Sequence, residues 1–157
     1  MADLKQKYGD STTITLTLAS LADASWRQAL AVDNGSNLFL DALLGGKIKT
    51  GTGSAAGDYV DLYVAASADG GTTFGGDCSG SDAAYSGESD NLVHLGRVST
   101  PGAQTTFEFG PLSIAAAFGG VLPQRWTLVV ENRSGSTLDA TPANHDLHYM
   151  GVYQQSN

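Results

Sequence analysis

A chain of 157 residues is long enough for one domain that buries roughly two thirds of its unfolded surface, and too short for two comfortable ones. Charged residues are only 15%, glycines number 20, and Thr, Ser and Ala are abundant, a composition that suits short strands and glycine turns better than amphipathic helices. The formal charge of −8 excludes an electrostatic nucleic-acid binder, because phosphate affinity is built from clustered Lys and Arg and the eight basic residues here are scattered.

The first eleven residues are polar and read as an N-terminal arm, with residues 12–157 as a single domain. The N-terminus has no apolar stretch of the signal-peptide kind, and no segment approaches the ~18 apolar residues of a membrane span, so the expectation is a soluble protein made in a cytoplasm. Residues 12–18 alternate, with Ile14, Leu16 and Leu18 facing in. Residues 25–33 form a second candidate strand carrying Trp26, Leu30 and Val32 in phase, ended by the turn signal Asp-Asn-Gly-Ser. Residues 37–49 form the third, with Leu38, Leu40, Ala42, Leu44 and Ile48 in phase and a bend or bulge at Gly45-Gly46. The run Gly51-Thr52-Gly53-Ser54 is a flexible loop and not a dinucleotide fingerprint, because a strand follows it where that motif needs a helix.

Residues 59–67 alternate again. Val60, Leu62, Val64 and Ala66 fall on one side, with Tyr59, Asp61, Tyr63 and Ser67 on the other. The strand runs into Ser67-Ala68-Asp69-Gly70-Gly71-Thr72-Thr73-Phe74, which matches Ser-x-Asp-x-Gly-x-Thr-aromatic position by position and resembles the Asp-box hairpin of sialidase propellers and other β proteins. In that family the box is a folding device. Asp69 can accept hydrogen bonds from the turn, Gly70 and Gly71 allow positive φ, and Phe74 can drop into the core. A propeller would repeat the box at blade-length intervals, and it occurs once here.

Residues 75–90, rich in Gly, Ser and Asp, read as a long surface loop. There is no Lys or Arg in residues 51–96, against Asp58, Asp61, Asp69, Asp77, Asp82, Glu88 and Asp90; the spacing fits no calcium loop, so a solvated acidic surface is expected. Residues 92–98 and 104–109 are the fifth and sixth strands, residues 111–119 a single helical turn capped by Ser113 and closed by Gly119, and residues 124–132 and 145–153 the last two strands. About eight antiparallel strands with one short helical turn make an all-β protein, an antiparallel β-sandwich of jelly-roll type.

No chemistry stands out. Gly-x-Ser-x-Gly is absent, His145 and His148 are an odd number apart and so point to opposite faces of a strand, and no acidic pair is singled out for glycoside cleavage. The single cysteine, Cys78, excludes an internal disulfide. No enzyme, cofactor or metal is expected. Trp26 and Trp126 are in phase with aliphatic neighbours and belong in the core, while Tyr59 and Tyr63 lie opposite their strand's aliphatics and are candidate contact residues.

Three runs, residues 32–44, residues 63–74 and residues 113–132, together resemble small virion proteins of tailed bacteriophages over residues 12–153. The resemblance implies a structural β-sandwich protein: a capsid decoration or cement protein that binds the major capsid protein on the head surface, often as a homotrimer. It also allows a tail or fibre component acting as a carbohydrate-binding adhesin, for which Tyr59, Tyr63 and Tyr85 would form an exposed aromatic row. The expected interface for the first reading is Lys5, Lys7, Tyr8, Arg27, Tyr59 and Tyr63, with Ser67, Asp69, Gly71, Thr73 and Phe74 as a structural hairpin and with neither nucleic acid nor membrane as a partner.

Overall fold

Alternation of apolar and polar residues builds two antiparallel sheets whose apolar sides face each other. The computed structural model describes residues 3–87 and 89–156; Met1 and Ala2 of the arm, Glu88 of the acidic loop and Asn157 lie outside the described residues. Among the described residues there are ten strands: β1 (Leu4–Thr13), β2 (Trp26–Gln28), β3 (Val32–Asp33), β4 (Asp41–Lys49), β5 (Tyr59–Ser67), β6 (Ala83–Tyr85), β7 (Val93–Ser99), β8 (Thr106–Ser113), β9 (Arg125–Arg133) and β10 (Asp146–Ser156). One sheet has the order β1-β10-β4-β8, the other β6-β2-β9-β5-β7, with β3 also on β9. The result is an all-β sandwich.

The main core lies between the sheets. Ala42, Leu44 and Ile48 of β4 and Leu147 and Tyr149 of β10 meet Val60, Leu62 and Val64 of β5 and Trp126, Leu128 and Val130 of β9. Period-two alternation puts each of these on its strand's inner side. Trp126 crosses between the layers, its ring edge-on to Tyr149 with centroids 5.6 Å apart. The short α1 (Ile114–Ala117) follows β8 and starts where expected: the Ser113 hydroxyl accepts from the Ala116 N–H, and the Asp41 carboxylate accepts from the Ala115 N–H and the Ser113 hydroxyl. Gly119, φ 74°, ends it. No helix among the described residues is long and apolar enough to cross a membrane.

Several expected elements sit differently. Residues 4–13, taken as arm and start of domain, form an edge strand along β10, bulged between Tyr8 and Ser11. Residues 14–18, expected as a strand, carry the chain from one sheet to the other. The Ile14 N–H donates to Leu147, but the Thr15 carbonyl already accepts from Leu30, so no continuous ladder forms even though Ile14 and Leu18 are buried as expected. Residues 25–33 split into β2 and β3 because the amides of Ala29, Leu30 and Ala31 go to three different segments, leaving Leu30 outward. β4 begins only at Asp41, and Leu38 and Leu40 are 73% and 52% exposed, because Asn34 closes a loop by bonding both the N–H and the carbonyl of Phe39. The bulge at Gly45-Gly46 is present as a register shift against β8.

The acidic loop is more ordered than its composition suggests. Residues 75–87 and 89–91 fold back over the outer side of the six-stranded sheet as two single 3-10 turns and β6, which pairs with β2. They close a second, smaller core of Ala65, Phe74, Cys78, Tyr85 and Val129. Trp26 packs against this cluster, opposite to Trp126, because it pairs with Glu131, whose neighbours Val130 and Asn132 point the other way. Burial pushes the Cys78 thiol up to about 11, with the Asp77 charge adding to it.

Candidate interaction surface

The four-stranded sheet turns its outer side to solvent. Inward Ala42, Leu44 and Ile48 leave Leu43, Gly45 and Lys47 outward on β4, and inward Leu147 and Tyr149 leave Asp146, His148 and Met150 outward on β10. Gly45 has no side chain, so the surface dips there; an added Cβ would lie 3.2 Å from the Phe109 carbonyl oxygen and 3.9 Å from His148 Nε2. The dip is part of a groove of about 620 Å³ with Leu43, Pro111 and Met150 among its apolar walls and Tyr8 at one end. Across it Lys47 sits opposite Glu108 on β8 and Asp146 on β10, a negative–positive–negative row over three strands.

Beyond the groove the edge strand β1 and its neighbour β10 run on past the end of β4. β10 pairs with β4 only as far as Val152, whereas its pairing with β1 continues through Lys7↔Tyr153, Lys5↔Gln155 and Leu4↔Ser156. The outcome is a two-stranded ribbon whose β1 strand is exposed on both sides, with Leu4 69% and Tyr8 56% exposed. Isolated two-stranded ribbons are marginal in water; here the Phe39 ring supports one side, its centroid 6.0 Å from that of Tyr153.

The outer side of the six-stranded sheet is organised differently. Its strands bring Arg97, Asp61, Glu131 and Trp26 into one row across β7, β5, β9 and β2. Asp61 and Glu131, directly opposite each other, are only 3% and 4% exposed. Each holds an arginine: Arg97 bonds Asp61 through Nε and Nη2 at 2.7 Å each, and Arg133 Nε bonds Glu131. Burial alone would raise the Asp61 pKa, but hydrogen bonds from Arg97 and His94 outweigh it and hold the carboxyl below its ordinary value. Tyr63, between Trp26 and His94, is pushed up to about 12 by burial and by the Asp61 and Glu131 charges. The Arg97 guanidinium lies 3.5 Å over the Tyr59 ring.

The expected interface residues therefore divide. Lys5, Lys7 and Tyr8 are together on the ribbon. Arg27 is engaged within the chain, its Nε 2.7 Å from Asp82, which also accepts from the Thr17 amide and hydroxyl. Tyr59 and Tyr63 spend their rings on Arg97, Trp26 and His94, and Tyr85 is buried with its hydroxyl donating to the Gly76 carbonyl. Those three tyrosines make no exposed row. His145 Nε2 is 2.8 Å from the Asp139 carbonyl while His148 faces the groove. Among the described residues no three His, Cys, Asp or Glu side chains gather as a metal-binding group.

No protein-family model, curated protein or solved structure matches this chain. Function must be read from the surface itself.

The partition of charge is the feature that sequence inspection missed. All four lysines, Lys5, Lys7, Lys47 and Lys49, are on the four-stranded sheet, and all four arginines, Arg27, Arg97, Arg125 and Arg133, are on the six-stranded one. Each arginine and Lys49 has a carboxylate partner; Lys5, Lys7 and Lys47 have none among the described residues. The signal needed was strand order, which links β1 to β4 through β10.

The hairpin after β5 is held by its own polar groups. Asp69 accepts from the Thr72 and Thr73 amides at 3.1 and 2.9 Å and from the Thr73 hydroxyl at 2.7 Å; the Ser67 hydroxyl donates to Asp69 and accepts from the Gly71 amide. Gly70 and Gly71 have φ of 75° and 97°. The Thr73 amide, then the Ser67 and Thr73 hydroxyls, hold the Asp69 carboxyl well below the usual carboxylate range. A lowered folded pKa gives stability that is present above the ordinary carboxylate pKa and lost only as pH falls through the lowered value, so the turn should stay closed at mildly acidic pH. Asp69→Ala should speed amide exchange at Thr72 and Thr73 while leaving β9 amides protected; equal acceleration in β9 would mean that the hairpin is not a local unit.

Proposed function

We propose that this is a structural virion protein of a tailed bacteriophage, a decoration or cement protein that binds the outside of the head and stabilises the lattice of major capsid protein. The observation that supports it most is the ribbon: a strand pair whose Leu4, Lys5, Lys7 and Tyr8 side chains are all exposed. The charge distribution agrees. The four-stranded sheet holds the three lysines that have no carboxylate partner among the described residues, while the six-stranded side, with its paired arginines and the acidic 75–90 segment, would face solvent and repel other particles. Many copies on a lattice make modest affinity per copy sufficient. The adhesin alternative draws less support, because Tyr59, Tyr63 and Tyr85 are committed to neighbours within the chain.

Deleting residues 1–10 tests the reading. The truncated protein should keep the β-rich circular dichroism of the full chain, since these residues add little to the main core, yet lose its place on heads in a co-sedimentation assay. Full occupancy of heads by the truncated protein would remove the proposal.

A further inference from the structure

We infer that His145 is a proton-operated latch: as a neutral imidazole it ties the end of β4 to the 139–145 loop, and on protonation it lets that loop go. This goes beyond the shell-binding reading and does not depend on it, because every partner of the ring is within the chain.

Geometry fixes the chemical form of the ring. β10 pairs with β4 from Val152↔Asp41 to Asp146↔Lys47, and there the backbone ladder stops. Lys49, two residues further along β4, finds its partners in the loop instead. Its N–H donates to His145 Nδ1 at 3.4 Å and its carbonyl accepts from the Asp139 N–H at 3.1 Å. An imidazole nitrogen thus takes the place of a ladder carbonyl. On the other side of the ring, Nε2 is 2.8 Å from the Asp139 carbonyl oxygen, which also accepts from the Ser20 N–H. A backbone N–H can only donate and a carbonyl can only accept, so Nδ1 must be bare and Nε2 must carry the hydrogen. That is the neutral ring in one tautomer, with both nitrogens engaged.

A second proton breaks the match. The imidazolium donates from both nitrogens, so its Nδ1–H would point at the Lys49 N–H, donor against donor. A part-buried donor without an acceptor costs free energy, so the ring must turn or the loop must lift. The surrounding charges do not reverse this. They are the Lys49 ammonium of β4 and the Asp139 carboxylate of the loop, 3.4 Å apart and offsetting each other, and Asp146, next in the chain and exposed. Opposite Lys49 on β8 is Thr106, and the segment before β2 brings Ser20; both are uncharged. Asp139 stays ionised throughout, because hydrogen bonds from the Asn144 side chain and the Thr141 amide hold its carboxyl well below the usual carboxylate range. The imidazole is therefore the group in this cluster whose charge changes between about pH 5 and pH 8. A closed loop excludes the proton and an open one accepts it, so opening grows as the pH falls through that window.

Nuclear magnetic resonance of the isotopically labelled full chain tests the inference. Near neutral pH the nitrogen couplings of the His145 ring should show the hydrogen on Nε2. From about pH 7.5 to about pH 5 the protection of the Lys49 amide, taken relative to an unstructured chain at each pH, should fall about tenfold or more, while Leu128 and Val130 in β9 keep theirs. In His145→Gln, which takes up no proton there, the Lys49 amide should be equally protected at both ends of the range. Should circular dichroism show that this variant does not fold, the titration of the natural chain decides alone. Hydrogen on Nδ1 near neutral pH, unchanged protection of Lys49, an equal fall in β9, or an undiminished fall in a folded His145→Gln would each overturn the inference.

Discussion

Trp126→Ala is expected to lower stability by about 3–5 kcal/mol, the range for removing a large aromatic from a packed core. For a chain of this size that corresponds to a fall of roughly 10 °C in melting midpoint. The reason lies in the position of the ring. Trp126 is fully buried on β9, and Tyr149, its edge-on neighbour, belongs to the other sheet, so truncation opens a hole between the layers. Its indole Nε1–H is buried with no partner in the protein among the described residues. That orphaned donor costs free energy in the folded state, so Trp126→Phe, which keeps an aromatic ring and discards the N–H, should cost far less, on the order of 1 kcal/mol. Urea unfolding of the two variants decides the matter: similar losses for Phe and Ala would mean that the indole, not ring volume, holds the layers.

The second large effect is an asymmetry. Arg97→Ala should destabilise more than Asp61→Asn, although both remove the same ion pair. Arg97 is half exposed and regains water when Asp61 loses its charge. Asp61 is buried, and without Arg97 it would stand beside Glu131 with, among the described residues, only His94 at 3.3 Å to answer it. An unpaired buried carboxylate next to another is costly in its ionised form, so its pKa should rise. The sign of the pH dependence should then reverse. In the natural protein the folded Asp61 pKa is lowered, so its contribution is present above the ordinary carboxylate pKa and is lost as pH falls through the lowered value. In Arg97→Ala the folded pKa is raised, so the carboxylate favours folding at acidic pH and opposes it as pH rises from the ordinary carboxylate value through the raised one. Melting curves from pH 4 to 8 should show the Arg97→Ala deficit widening with pH. A deficit constant across that range would mean that Asp61 does not carry the effect.

How much of this was legible beforehand follows from which forces act locally. The inward sets Ala42-Leu44-Ile48, Val60-Leu62-Val64 and Trp126-Leu128 are visible because period-two alternation is a property of a strand on its own. The Ser113 cap and the turn around Asp69 are visible for the same reason, since the Ala116 amide that Ser113 caps and the groups that Asp69 holds are within four residues; the support that Asp41 gives the cap from 72 residues away is not. The edge strand β1 was hidden. Residues 4–13 bury almost nothing, and the hydrogen bonds that make them a strand go to β10, more than a hundred residues away. Asp61 and Trp26 were misread in complementary ways. Alternation sends Asp61 outward correctly, yet the outward side is itself covered by arginine and histidine, while Trp26 follows its own phase onto the smaller cluster. The groove depends on strand order, which brings Gly45, Pro111 and Met150 together and is written in no single stretch.

The segregation of lysine from arginine gives the molecule a built-in marker of orientation. Reagents that acylate primary amines of side chains can label only the β1-β10-β4-β8 layer, because the opposite layer has guanidinium groups alone. Footprinting by peptide mass mapping would therefore tell which side is covered in any assembly the protein joins, without altering a residue.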